Sequence, residues 1–73
     1  MSKLPQVSGS DVVQALKKIG FTVRRQHGSH IIMRREDPFA QTVVPNHRQI
    51  DRGTLRAILR QTDITADELI KLL

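Results

Sequence analysis

Apolar positions along the chain change period twice, from helical to alternating and back to helical. Val12, Val13, Leu16 and Ile19 recur at helical spacing, which predicts one amphipathic helix over residues 9–19. Ser8-Gly9-Ser10-Asp11 opens it as a variant capping box. The Ser8 oxygen accepts from the first turn, Asp11 reaches back, and Val7 meets Val12 as a hydrophobic staple. Lys17 and Lys18 suit the negative end of the helix dipole, and Gly20 supplies a left-handed stop.

From Phe21 the period falls to two. Phe21-Thr22-Val23-Arg24 reads as a strand, Gln26-His27-Gly28-Ser29 as a turn, and His30 to Arg35 as a second strand. Glu36-Asp37-Pro38 breaks that run, and Gln41 to Val44 forms a third strand ended by Pro45. Such short connections call for an antiparallel meander. Asn46 to Gln49 is a polar loop. Asp51 then caps a helix carrying Leu55, Ile58 and Leu59, with Ile50 stapled onto Leu55. Thr65-Ala66-Asp67-Glu68 is a second capping box, stapled by Ile64 and Leu69, and opens a short last helix through Ile70 and Leu73. The expected fold class is α+β, in the order α-β-β-β-α-α. A three-stranded antiparallel sheet should carry its helices on one face and leave the other available for function. One domain spans residues 1–73, with residues 1–7 as an N-terminal lead-in.

Composition narrows the class. Seventy-three residues lie near the low end of what folds without metal or disulfide support, and there is no cysteine to supply either a bridge or a zinc thiolate. That suits a reducing cytoplasm. The longest apolar runs are a few residues, and MSKLPQVSGS has no apolar stretch of signal-peptide type, so a soluble intracellular protein is expected. Twelve Lys and Arg against seven Asp and Glu give a formal charge of +5, which fits nucleic acid or an acidic protein partner. Eight of the twelve are arginine, whose planar fork matches phosphate oxygens. Arg24, Arg25, Arg34 and Arg35 bracket the first hairpin, whereas the last thirteen residues carry only Lys71 against three acids.

Three histidines carry the candidate chemistry. His30 opens the second strand directly after Gly28-Ser29, and period two puts it with Ile32 and Arg34, opposite Ile31 and Met33. Both faces are mixed. The favoured assignment turns Ile31 and Met33 inward and leaves His30 and Arg34 accessible; the alternative is a partly buried histidine satisfied by a carbonyl. His47 follows Pro45, whose fixed φ holds the start of its loop. It stands beside Arg48, either to touch phosphate or as an ordinary loop residue. His27, within the turn, looks the most expendable.

His27 and His30 have metal-like H-x-x-H spacing, but across a glycine turn and without a nearby thiolate or carboxylate. The acids are assigned to helix starts and a hairpin rather than to a cluster of the kind two-metal nucleases need. Neither metal nor cofactor is expected. RNA can be cleaved without one, because its 2′-hydroxyl is a built-in nucleophile. A protein need only remove that proton, neutralise charge on the phosphoryl oxygens and assist the leaving oxygen. Histidine titrates near neutral pH and suits the first task, and arginine suits the second. Such acid–base catalysis contributes about 10²–10⁴-fold, which describes a slow enzyme.

The segments "LKKIGF", "GSHIIMRR", "TVVPNH" and "RGTLRAILRQTDITADELIKLL" occur in an order that resembles the HicA (YcfA-like) toxins, messenger-RNA-cleaving toxins of type II toxin–antitoxin systems. The resemblance runs from about Ser8 to the C-terminus. It implies a fold like the double-stranded RNA-binding domain and a metal-independent endoribonuclease. The histidine of Gly-Ser-His is the family's catalytic residue, which places that role on His30. Gly28 and Ser29 correspond to the turn that presents it, and Pro45-Asn46-His47 corresponds to the family's P-x-H, with His47 as an assisting residue. Gly53-Thr54-Leu55 corresponds to a structural G-T-L. Arg24, Arg25, Arg34 and Arg35 would bind phosphate or steady the transition state, and Arg48 would assist. The implied partners are messenger RNA and a HicB-type antitoxin that covers the active surface. The competing reading is a non-catalytic module for double-stranded RNA, which would bind duplex by shape and phosphate contacts and leave no products.

Overall fold

The computed structural model of the protein describes residues 3–73, so Met1 and Ser2 of the lead-in lie outside the described residues. The elements are α1 (Gly9–Lys17), β1 (Thr22–His27), β2 (His30–Glu36), β3 (Phe39–Pro45), α2 (Arg52–Thr62) and α3 (Ala66–Leu72). The strands form one antiparallel sheet in the order β1-β2-β3. This is the α+β arrangement of a double-stranded RNA-binding domain with one further helix at the C-terminus.

Each helix starts where its capping chemistry predicts. Ser8 and Asp11 exchange side-chain bonds with each other's backbone amide, both at 3.0 Å, and Thr65 and Glu68 do the same. Asp51 accepts from the Thr54 amide at 3.0 Å. Val7, Val12, Ile50, Leu55 and Leu69 are all buried, so the staples are also core contacts.

The first helix ends at Lys17, two residues short of the stretch read from periodicity. The last turn tightens instead. Lys18, Ile19 and Gly20 donate to carbonyls three residues back, and the Phe21 amide returns to the Leu16 carbonyl at 3.1 Å. Gly20, at φ +98°, takes the left-handed position that this closure requires. Phe21 thereby drops into the core ahead of β1 rather than forming its first residue.

The strands are longer than their sequence signatures. Gln26 and His27 belong to β1 and not to the turn, which shrinks to Gly28-Ser29. Glycine with positive φ (+56°) at the first of two loop positions lets strand pairing continue up to His27 opposite His30. In the same way β3 begins at Phe39, paired with Glu36 across Asp37-Pro38, whose peptide is cis.

Pairing assigns the two faces. Ile31, Met33 and Arg35 of β2 share a face with Ala40, Thr42 and Val44 of β3. That face is covered by the helices, and Met33, Val44 and Thr42 are fully buried there. The Thr42 hydroxyl is satisfied by Gln61 of α2 at 2.7 Å. His30, Ile32, Arg34 and Glu36 share the opposite, open face with Phe39, Gln41 and Val43. Ile31 and Met33 therefore turn inward and His30 outward, as favoured from the alternation.

Candidate active site

Pairing carries His30 towards His47. His30 lies opposite Pro45, the last residue of β3, and the ladder extends one step further through the Asn46 amide, which donates to the Ser29 carbonyl at 2.6 Å. His47 is the next residue. Its own carbonyl accepts from the Gly9 amide at 2.9 Å, one of the donors that a helix start leaves without an intrahelical partner. A Cβ on Gly9 would collide with the Pro45 carbonyl oxygen and lie 3.0 Å from Asn46 Cα, so only glycine lets α1 press this closely on the loop. The Ile50 amide donates to the Val7 carbonyl at 2.9 Å. Backbone bonds at both ends hold the His47 loop.

The result is a shallow depression of about 330 Å³ lined by His30, Val43, Pro45, His47, Asp51 and Thr54. Two imidazoles 17 residues apart in sequence, both exposed, thus line one hollow beside the start of α2. Among the described residues, neither imidazole has a side-chain hydrogen bond, which leaves both ring nitrogens available to a ligand. Asp51 adds a carboxylate to the rim. Hydrogen bonds from the Thr54 side chain and amide hold it below the usual carboxylate range, so it is an anion at neutral pH. That anion already caps the N-terminus of α2, so the helix end beside the imidazoles is not free.

Gly28 and Ser29 form the two-residue turn directly before His30. The space around the Gly28 Cα is open, so its positive φ, not crowding, calls for glycine. Ser29 contributes its carbonyl, through the bond to Asn46. His27, placed within the turn by its sequence context, is instead a strand residue directly across from His30 on the open face.

The arginines separate into groups. Arg24, Arg25 and Arg34 line a second open-face depression with Ile32 and Gln41. Arg35 lies on the other face. Its guanidinium stacks over the Phe21 ring, 4.7 Å from the centroid, its Nε donates to the Pro38 carbonyl at 3.0 Å, and a terminal nitrogen donates to the Ile19 carbonyl at 3.4 Å. Those bonds tie the α1–β1 turn to the β2–β3 turn. Arg48 is exposed in the loop beside His47. The sequence signal that separates Arg34 from Arg35 is strand alternation itself; the one that brings His47 to His30 is confined to Pro45 ending a strand.

No helix among the described residues is long and apolar enough to cross a membrane, and none of their His, Asp and Glu side chains gather in threes as a metal site would require. No curated protein matches the chain. A family model described as the HicA toxin of bacterial toxin–antitoxin matches residues 9–64, from the first residue of α1 to just beyond the end of α2. With most of its length so matched, the chain belongs to the HicA toxin family, the toxin half of a bacterial toxin–antitoxin pair whose other half is an antitoxin.

Proposed function

We propose that the protein is a messenger-RNA endoribonuclease that works through His30 in the depression shared with His47. The neutral His30 imidazole takes the proton of a 2′-hydroxyl, and the freed oxygen attacks the adjacent phosphorus. The bond from phosphorus to the 5′-oxygen breaks, and that oxygen receives a proton from an imidazolium: His47, or His30 returning the one it took. The products are a 2′,3′-cyclic phosphate and a 5′-hydroxyl, with no net gain or loss of protons. Arg48, exposed next to His47 in the loop, offsets charge on the phosphoryl oxygens. The observation that carries this reading is the meeting of two accessible imidazoles in one hollow on the uncovered side of the sheet.

The family supplies the biological frame. A free ribonuclease harms the cell that makes it, so the antitoxin, taken here to be of the HicB type, covers this surface in the cytoplasm until release. A basic surface suits an acidic inhibitor.

Purified protein and a synthetic RNA in EDTA test the proposal. The parent should cleave, His30→Ala should lose about 10²–10⁴-fold in kcat, and His47→Ala should lose less. Circular dichroism should show both variants folded. Equal cleavage by His30→Ala would remove His30 from the mechanism, and duplex binding with no products from the parent would make the protein a non-catalytic RNA-binding module.

A further inference from the structure

The first strand carries a β-bulge. Val23 pairs with Met33 and Arg25 with Ile32, so two steps along β1 match one along β2 and Arg24 is the extra residue. In an unbroken register Arg24 would face Ile32, while Arg25 would pair with Ile31 on the core side. The bulge cancels that alternation. Arg25 is moved to the open face, Arg24 stays beside it, and both line one depression of about 370 Å³ with Arg34.

Arg34 is already aimed. Its Nε donates to the Gln41 side-chain oxygen at 2.9 Å, and its guanidinium lies 5.8 Å from the Phe39 ring centroid. Glu36, 3.7 Å from a terminal nitrogen, is its one ion-pair partner among the described residues and is itself largely exposed. Arg24 and Arg25 are exposed and have no carboxylate partner among the described residues. Three guanidinium groups around one polar hollow match the several oxygens of a phosphodiester better than the single planar carboxylate of an acidic side chain.

The hollow stands apart from the imidazoles. Arg34 lies four residues along β2 from His30, which is about 13 Å at the rise of a strand. Arg25, paired with Ile32, lies only two residues or about 7 Å along the ladder, so the hollow spans about two to four nucleotides of stacked strand from the imidazole at about 3.4 Å each. We infer that the bulge builds a second phosphate subsite from Arg24, Arg25 and Arg34, which holds the backbone of the cleaved RNA strand some nucleotides away from the scissile bond. The substrate then lies along β2 on the open sheet face. This rests on the proposed RNA substrate, and it assigns the three arginines to binding and not to the chemical step.

The test compares Arg24→Ala/Arg25→Ala with the parent on a dinucleotide and on a single-stranded 12-mer. For the 12-mer, KM should rise about tenfold and kcat should hold. The slope of log affinity against log salt should become shallower by about 0.7 for each phosphate that the variant no longer neutralises. The dinucleotide, too short to reach the bulge, should be handled equally by both proteins. Lysine at the two positions should restore part of the 12-mer affinity. A fall in kcat on both substrates would place the arginines at the reacting phosphate, and an unchanged 12-mer KM would remove the subsite; either overturns the inference. Binding is measured separately by fluorescence anisotropy in the His30→Ala background, so the subsite stands or falls even if no RNA is cleaved. Loss of polyglutamate binding with RNA binding intact would assign the hollow to an acidic protein and overturn it equally.

Discussion

Arg34 and Arg35 are neighbours in sequence with opposite surroundings. Arg34 projects from the open face, steadied by Gln41, with its outer edge towards solvent. Arg35 lies over Phe21 and bonds two turn carbonyls, so its charge joins chain segments. A run of basic residues is therefore two structures divided by the plane of a sheet. The same division holds for apolar residues: Met33 is wholly buried, while Val43 is 43% exposed beside His30. A count of positive charge measures attraction for an anionic partner, but only the face tells which cations can meet one.

The largest effect that sharpens this contrast is Met33→Ala. It should destabilise the fold by about 2–5 kcal/mol in urea titration, because a filled position under the helices becomes a cavity. Val43→Thr on the open face should stay within about 0.5 kcal/mol of the parent. Comparable losses at the two sites would break the distinction between faces.

Gly9→Ala comes next. Forcing a methyl group against Pro45 should cost about 1–3 kcal/mol of stability. It should also lower kcat more than it raises KM, because the His47 loop must shift relative to His30. If melting temperature falls while kcat holds, the Gly9–Pro45 approach is structural only.

Arg35→Ala should lower stability by about 1–2 kcal/mol by removing its stacking on Phe21 and leave RNA affinity nearly unchanged. Arg34→Ala should do the reverse, weakening RNA binding while staying within about 0.5 kcal/mol in stability. Thermal melts and anisotropy on the same two proteins decide it, and swapped results would invert the assignment of faces.

The smallest effect is acid-dependent. Asp51 is held below its ordinary value of 3.8 in the folded chain, so the unfolded chain binds its proton first as pH falls. Its contribution is complete above that value and disappears as pH drops through the lower, folded one. The melting-temperature advantage of the parent over Asp51→Asn should therefore shrink below about pH 4. An advantage that grows on acidification would contradict the cap.

Much of this architecture was legible in order of sequence. The three helix starts announce themselves because capping boxes and staples operate within five residues, and Gly20 and Gly28 mark two chain reversals for the same local reason. Strand ends were less legible. Gln26, His27 and Phe39 have turn-prone neighbours, yet they pair because a two-residue loop lets the ladder continue to its limit. His30 was identified as a candidate from its turn and its family motif. Alternation put it opposite Ile31 and Met33, but both faces were mixed, and only pairing with β3 and the burial of Ile31 and Met33 decided which one is open.

What the sequence alone determined was local: where helices begin, which period each segment follows, and that one histidine opens a strand after a glycine turn. Tertiary structure decided which distant groups share a surface. The bulge at Arg24 is fixed by how β1 registers against β2, a choice made by pairing across the hairpin and not by Arg24 itself. The nearness of His47 to His30 depends on a third strand and on Gly9 near the start of the chain. Those pairings join residues 17 and 38 positions apart, and packing between such segments leaves no periodic signal in either one.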